Sequence, residues 1–286
     1  MTTITIDGRP VAYRERGDGG GTPLLLLHGF TGSKEDFDAV VDGLAADRRV
    51  VAVDLPGHGG SAGSDDPAAY GIAATAGWVL RAAEVFGLGE FGLLGHSLGG
   101  LVAQRVASTA SQRLRCLVLA DTGVGALREE AAEVVVRIAL AARDRGMAAA
   151  WEEIRRRADA AGGLRTRVVP QDPAREVFVR RRFLGLRPAV VVGTARALIG
   201  AVPLGAFLRG IDIPVLVVAG EDDDTWTVSE QRLLAALTAG AQLAVVPDAV
   251  HVPQLENPGY WLKVVRDFLA RADADPRRVR RSDAGR

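Results

Sequence analysis

The sequence predicts an α/β fold with a mostly parallel central sheet flanked by helices. Three observations predict it. Several short runs are apolar throughout, notably Pro23 to Gly29, Val50 to Gly57, Phe91 to Ser97 and Leu114 to Asp121, and strands that do not alternate belong to parallel sheets covered on both faces. Segments of helical period lie between these runs, which gives the βαβ order. The stretch FGLLGHSLGG, Phe91 to Gly100, runs from apolar strand through a sharp glycine-flanked turn into a helix-like segment.

In chain order, Thr3 to Ile6 and Val11 to Arg16 flank Asp7-Gly8, a hairpin signal. The strands Pro23 to Gly29 and Val50 to Gly57 follow. Between them Ser33 stands as an N-cap with Asp36 three residues on, and Phe37, Val40, Val41 and Leu44 recur at helical spacing. Ala68 to Phe86 reads as a helix, Phe91 to Ser97 as a strand, Leu98 to Ala110 as a helix and Leu114 to Asp121 as the sixth strand. From Val124 to Gly210 there is no convincing buried strand, and runs such as REEAAEVVVRIALAARDRG carry helical periodicity. A helical cap is therefore expected as an insertion after the sixth strand. The sheet pattern resumes at Ile213 to Asp224, followed by a helix from Val228 to Thr238, the strand QLAVVP and a last helix from Pro258 to Ala270. The expected division is a core of residues 1–123 and 211–271, a cap of residues 124–210, and a flexible basic tail over 272–286.

A chain of 286 residues and 30.1 kDa suits one core with an insertion. A hydrophobic share of 48% with mixed charge is that of a soluble enzyme. Zero formal net charge argues against nucleic acid as a partner. The single cysteine, Cys116, excludes an internal disulfide and reads as a buried strand residue. No basic segment with an apolar core opens the chain and no apolar run reaches membrane-spanning length, so the expectation is a cytoplasmic protein with no membrane association. The expected partner is a small-molecule substrate; self-association into a homo-oligomer stays open.

Gly95-His96-Ser97-Leu98-Gly99 is a G-x-S-x-G pattern at a strand-to-helix junction. Such an elbow projects a serine hydroxyl above the sheet, and only glycines two residues either side leave room for the backbone. The competing reading is a Gly-rich turn with a capping serine. As a nucleophile, Ser97 needs an adjacent base, itself oriented by a third group. Of the four histidines, His96 adjoins the serine and His28 and His58 lie in Gly-rich loops before it, which leaves His251, in a loop after a strand, as the base. The acid must come from a loop between Ser97 and His251, and Glu221-Asp222-Asp223-Asp224 supplies it. No histidine or cysteine accompanies these carboxylates and EF-hand spacing is absent, so no metal is expected. GHSLGG is neither a P-loop nor a dinucleotide fingerprint, so no organic cofactor is implied. The backbone amide of Leu98, at a helix start, is placed to meet a developing oxyanion.

Five stretches in order, HGFTGS (His28 to Ser33), DLPGHGGS (Asp54 to Ser61), GHSLGG (Gly95 to Gly100), AGEDDDT (Ala219 to Thr225) and AVHVPQLENP (Ala249 to Pro258), make the chain resemble the α/β-hydrolase fold superfamily with a helical cap, from about Pro23 to Ala270. The resemblance implies Asp223 as the acid, with Asp222 and Asp224 as alternatives, and the amide of Phe30 as the second oxyanion donor. It implies loop-building roles for His28 and His58. Three positions depart from the family pattern: Val250 replaces a glycine before the base, Thr225-Trp226 replaces a proline after the acid, and Phe37 stands for a tryptophan. Trp226 and Val250 are candidates for the substrate pocket, and Trp226 reads equally as a half-buried lip residue. The superfamily group it is similar to includes small-molecule esterases, enol-lactonases, cofactor-free haloperoxidases, meta-cleavage product C–C hydrolases and the menaquinone-pathway synthase.

Between Val124 and Gly210 sixteen arginines face nine acidic residues, a formal +7. That charge either draws carboxylate or phosphate substrates or is solvated helix surface in an arginine-biased sequence. The apolar run Val190, Val191, Val192, Leu198, Ile199, Val202 and Leu204 is the candidate pocket wall. The expected activity is a serine hydrolase with an acyl-enzyme step on a small or medium ester, lactone or thioester. The alternatives are a C–C hydrolase or lyase-like synthase acting on a carboxylated substrate, and a noncatalytic binding protein on the same fold.

Overall fold

The computed structural model describes residues 2–160 and 173–275. The strands are β1 (Thr2–Ile6), β2 (Arg9–Leu27), β3 (Arg48–Val53), β4 (Phe91–His96), β5 (Leu114–Ala120), β6 (Val215–Gly220) and β7 (Gln242–Val246). The helices are α1 (Val41–Leu44), α2 (Ile72–Val85), α3 (Leu98–Ala110), α4 (Glu129–Arg145), α5 (Met147–Ala160), α6 (Pro173–Leu184), α7 (Pro188–Ile199), α8 (Gly205–Leu208), α9 (Val228–Leu237), α10 (Pro253–Glu256) and α11 (Pro258–Asp273). Asp7 (φ 51°) and Gly8 (φ 73°) form the β1–β2 turn, the pair of positive φ angles that a tight two-residue hairpin demands.

The two strands expected at Val11 to Arg16 and Pro23 to Gly29 are one bent strand. Tyr13 to Arg16 pair with Val53 to Val50 in descending order, and Leu24 to Leu27 pair with Val50 to Val53 in ascending order. The first limb of β2 therefore runs against β3, the second runs parallel to it, and β3 lies between them. The chain doubles back around the start of β3, where a Cβ on Gly17 (φ 70°) would strike the carbonyl of Arg48. Counted continuously, the helical insertion follows the fifth strand; with the limbs counted separately, it follows the sixth. From the second limb the sheet continues in parallel through β4, β5, β6 and β7.

Residue alternation along the buried strands builds two cores. Leu25, Leu27, Val51, Leu93, Leu117 and Val217 face α2 and α3. Leu24, Leu26, Val50, Leu94, Val118 and Leu216 face Phe37, Leu44 and the apolar side of α11. This two-sided burial is why the runs are apolar throughout. The helix expected from Ser33 is instead a 3-10 turn, Lys34–Phe37, followed by the single turn of α1. Asp36, Asp38, Asp42 and Gly43 are weak helix formers, so packing of Phe37, Val41 and Leu44 governs the segment.

Residues 272 and 273 correct the expected tail. They extend α11, and Asp273 accepts hydrogen bonds from Thr22 and pairs with buried Arg48 at 3.1 Å. That contact spans almost the whole chain, which local periodicity does not reveal. Residues 276–286 lie outside the described residues.

One buried hub stiffens the loops under the site. Asp54 is fully buried and accepts from the Lys34 amide (2.7 Å), Lys34 Nζ (2.9 Å) and the Gly60 amide (2.9 Å). Lys34 also reaches Glu35 at 2.7 Å. Replacing Lys34 with methionine leaves the Asp54 charge with backbone partners only. Breaking a buried pair from one side costs about 3–5 kcal/mol, so Lys34→Met is expected to lower the denaturation midpoint markedly. An unchanged midpoint would show that the pair contributes nothing to stability.

Candidate active site

Parallel strands deliver their functional residues at their carboxyl ends, and four adjacent strands do so here. β4 leads into Ser97, β5 into Asp121, β6 into the loop holding Asp223, and β7 into the loop holding His251. Ser97 has φ 56° and ψ −119°, a conformation rare for a residue with a Cβ. Its amide donates to the Ala120 carbonyl at 2.8 Å, and its own carbonyl accepts from the Gly100 amide at 2.8 Å. A Cβ on Gly95 would collide with the Gly99 carbonyl, and one on Gly99 with the carbonyls of Leu27 and His28. The turn is tight enough that glycine is required at both positions.

Ser97 Oγ lies 3.1 Å from His251 Nε2, and His251 Nδ1 lies 3.0 Å from Asp223 Oδ1. Asp223 is 4% exposed, and it also accepts from the amides of Thr225 (2.9 Å) and Trp226 (3.3 Å) and from Gln231 Nε2 (2.9 Å). Four donors converge on this carboxylate. Glu221 and Asp222 are exposed, and Asp224 is half-buried, so only Asp223 of the four acids turns inward to the histidine. Burial works against a charged His251 ring, but the charge of Asp223 and its hydrogen bond outweigh it and raise the pKa above the ordinary 6.5.

His96 does not bond Ser97; its Nε2 donates to the His251 carbonyl at 2.7 Å and the two rings lie 5.2 Å apart. Burial pushes its pKa down to about 4, so it is a neutral prop for the His251 loop. His28 Nδ1 donates to the Gly29 carbonyl (2.9 Å), and its Nε2 accepts from the Leu55 amide (3.0 Å). His58 Nδ1 donates to the Pro56 carbonyl at 3.1 Å. Burial lowers these two to about 4 and about 3, as loop-building imidazoles require. Gly29 abuts Ser97, where an added Cβ would lie 2.9 Å from that of the serine. The amides of Phe30 and Leu98 have no acceptor among the described residues.

Trp226 is 1% exposed, so it is not a lip residue. It is packed against Gly123 and in one cluster with Leu98, Leu101 and Ala197, with its ring 6.2 Å from that of His251. Val250 is equally buried, and its amide donates to Glu256 Oε2 at 2.7 Å. Glu256 also holds the Val252 amide at 3.2 Å and thus brackets His251 from both sides. Three supporting groups escaped sequence reasoning: Gln231, Glu256 and Asp121. Gln231 lies within the helix expected from Val228 to Thr238, where nothing local marks it, and Glu256 lies within the AVHVPQLENP stretch.

Helices α4 and α7 pack over the elbow through Ala131, Val135, Ala195 and Leu198, which meet Leu98 and Leu101. Of the apolar run considered as a pocket wall, Val190, Val191 and Leu198 are buried in packing, whereas Ile199 is exposed. Only Val202 and Leu204 of that run line a groove of ≈ 740 Å³ beside α3, and neither Ser97 nor His251 does. The insertion's arginines are largely paired: Arg137, Arg143, Arg145, Arg155, Arg156 and Arg187 meet nearby carboxylates. Arg182 turns inward to Asp36 (2.6 Å) and Ser33 Oγ (3.0 Å). Arg165 and Arg167 lie outside the described residues. Among the described residues no group of His, Cys, Asp and Glu side chains is arranged to hold a metal, and no helix is long and apolar enough to cross a membrane.

A sequence profile described as alpha/beta hydrolase fold matches residues 22–258. The chain belongs to the α/β-hydrolase fold family. Within it, the chain is 30% identical to a Bacillus subtilis (strain 168) protein assigned as 2-succinyl-6-hydroxy-2,4-cyclohexadiene-1-carboxylate synthase, over 94% of this chain and 99% of that one. It is 27% identical to a pimeloyl-acyl-carrier-protein methyl ester esterase of Aeromonas hydrophila, over 88% and 96%. Its structure resembles the enol-lactonase of Burkholderia xenovorans LB400, with a TM-score of 0.81 at 26% identity, covering 94% of this chain and all of that one. The α/β-hydrolase assignment makes this chain an enzyme of an esterase-like family.

The charge on Asp223 makes a checkable difference. The His251 ring is expected to titrate above 6.5 by NMR in the wild type and at a lower pH in Asp223→Asn, which removes the raising charge. A base must be a neutral imidazole, so if His251 serves as one, kcat/KM is expected to rise with pH through the wild-type midpoint. The stability that this protonation adds is full below 6.5 and fades as pH climbs through the folded midpoint. A midpoint in Asp223→Asn equal to or above that of the wild type would contradict this account.

Proposed function

We propose that the protein is a serine hydrolase that cleaves a small or medium ester, lactone or thioester through an acyl-enzyme, with Ser97, His251 and Asp223 as its triad. The observation that carries this reading is the continuous relay from Ser97 Oγ through His251 (3.1 Å) to Asp223 (3.0 Å). With Nδ1–H given to Asp223, the Nε2 lone pair faces the serine hydroxyl. As Ser97 Oγ bonds to the acyl carbon, Nε2 takes the hydroxyl proton and the carbonyl π pair moves onto oxygen. The amides of Leu98 and Phe30 receive that oxyanion, and each such donor contributes on the order of a hundredfold or more in turnover. Collapse breaks the bond to the leaving group, which takes the proton from Nε2. Water then repeats the sequence on the acyl-enzyme, releasing the acid and restoring Ser97.

Residues 1–123 and 211–271 serve as the catalytic core in this reading, and 124–210 as a cap that excludes water from the elbow through the cluster around Leu98 and Trp226. Those two side chains, with Val250 behind His251, shape the acyl side of the pocket. Relatives named as an esterase and an enol-lactonase support the ester and lactone substrate classes. A second reading, a C–C hydrolase or synthase step on a carboxylated substrate, is favoured by the synthase-named relative; there the same three groups would move protons without acylation.

Fluorophosphonate labelling with mass mapping, alongside turnover of p-nitrophenyl acetate and butyrate, separates the two. Wild type is expected to be labelled at Ser97 and to hydrolyse both esters, and Ser97→Ala to lose the label and about 10⁴-fold or more in kcat. A folded wild type that is neither labelled nor active would sink the acyl-enzyme reading and favour the synthase-like one.

A further inference from the structure

A second buried acid stands behind the catalytic constellation and has no part in the steps above. Asp121 ends β5 with φ 47° and is completely buried. Its Oδ1 accepts from the Gly220 amide at 2.8 Å, its own amide donates to the Val218 carbonyl at 2.8 Å, and its Oδ2 has no hydrogen-bond donor facing it. No lysine or arginine among the described residues forms an ion pair with it. The groups that bear on it are all acidic: Asp223 from the loop after β6 and Glu256 from α10. His251 bonds Asp223 through Nδ1, and His96, which lies opposite Ala120 on the neighbouring strand, is neutral and turns its Nε2 to the His251 carbonyl.

Gly220 joins the two acids, giving its amide to Asp121 Oδ1 and taking the Asp223 amide on its carbonyl at 3.2 Å, and two buried carboxylates brought together with a single histidine as their partner do not both ionise. Asp223 accepts four hydrogen bonds, the surroundings of a carboxylate. Asp121 accepts one, from Gly220, and burial first, with the repulsion of Asp223 second, drives it toward the neutral acid. A bare Oδ2 beside a carboxylate becomes a hydrogen bond only when a proton lies between them.

We propose that Asp121 holds a proton on Oδ2 and donates it to the Asp223 carboxylate, acting as a positioning residue that ties the acid loop to the end of β5. The proposal rests on reading Asp223 as the acid that orients His251. Asp121 then grips the loop at two points: it accepts from the Gly220 amide at the loop's start and donates to Asp223 three residues later. The neutral acid adds a hydrogen bond without adding a second negative charge behind His251, so the proton taken from Ser97 returns to the leaving group and is not over-stabilised on the imidazole.

Infrared difference spectra of wild type minus Asp121→Asn at pH 7 provide the direct test. Wild type is expected to show the C=O stretch of a protonated carboxylic acid, shifting in heavy water and absent from the variant. No such band in the wild type overturns the proposal, whatever the outcome of Ser97 labelling; failed labelling with the band present would instead sink the triad reading alone. The acid limb of the pH–kcat/KM profile gives a second readout. Asparagine reproduces the donor and acceptor of a neutral acid, so the limb of Asp121→Asn should coincide with that of the wild type. Displacement to lower pH would mean that Asp121 is charged in the wild type and would refute the assignment. Asp121→Leu, which removes both hydrogen bonds, is expected to lose roughly tenfold or more in kcat, the worth of one hydrogen bond to a charged group. If Asp121→Asn, folded by circular dichroism, falls as far as the leucine variant, an ionised carboxylate is required and the proposal fails.

Discussion

The backbone at Ser97 is the point on which the architecture turns. A non-glycine residue at φ 56° costs free energy, and the structure holds it there with the Ala120 carbonyl on one side and the first turn of α3 on the other. That geometry fixes the neighbours. Gly95 and Gly99 are required by close contact, the Gly29 loop lies against the serine, and α3 starts at the residue after it. The β5 strand supplies the carbonyl that holds Ser97 and leads into Asp121, so Ser97 and the Asp223 loop are anchored on adjacent ladders.

Charge around this turn is arranged so that very little of it is buried without a partner. Asp54 is matched by Lys34 and two amides. Three of the four histidines are buried and pushed toward the neutral form, and they serve as hydrogen-bonding spacers between loops. Only His251 has its proton affinity raised, because only His251 has a buried carboxylate on its ring. Burial lowers the proton affinity of all four imidazoles, and Asp223 reverses it at His251 alone, so the difference lies in one neighbouring side chain.

The helical insertion contributes packing at the site more than charge. Its arginines form surface ion pairs with the insertion's own carboxylates, each of small worth in water, and these pairs leave the formal +7 in place. Arg187 reaches Asp65 outside the insertion, and Arg182 bridges α6 to Ser33 and Asp36 beside the Phe30 loop. Its apolar residues, by contrast, close over Leu98, Leu101 and Trp226.

The continuous apolar runs, the G-x-S-x-G turn and the glycines around it were legible in the chain because each reflects a local constraint: burial on both faces of a strand, or a backbone too crowded for a Cβ. The order Ser97, Asp223, His251 was legible for the same reason, since each residue follows a strand end. Tertiary structure alone decided what lies between those points. It joined two expected strands into one bent strand around β3, because pairing on both edges of a neighbour leaves no trace in periodicity. It broke the helix after Ser33, since weak helix formers leave burial of Phe37 and Leu44 to set the backbone, and bound Asp273 to Arg48 across nearly the whole chain. It also chose Asp223 from four consecutive acids and set Asp121, Gln231 and Glu256 around the pair. Those choices rest on hydrogen bonds that local pattern does not show, Asp121 to Gly220 across 99 positions and His251 to Asp223 across 28, with the shorter links from Gln231 and Glu256 set by the same loops.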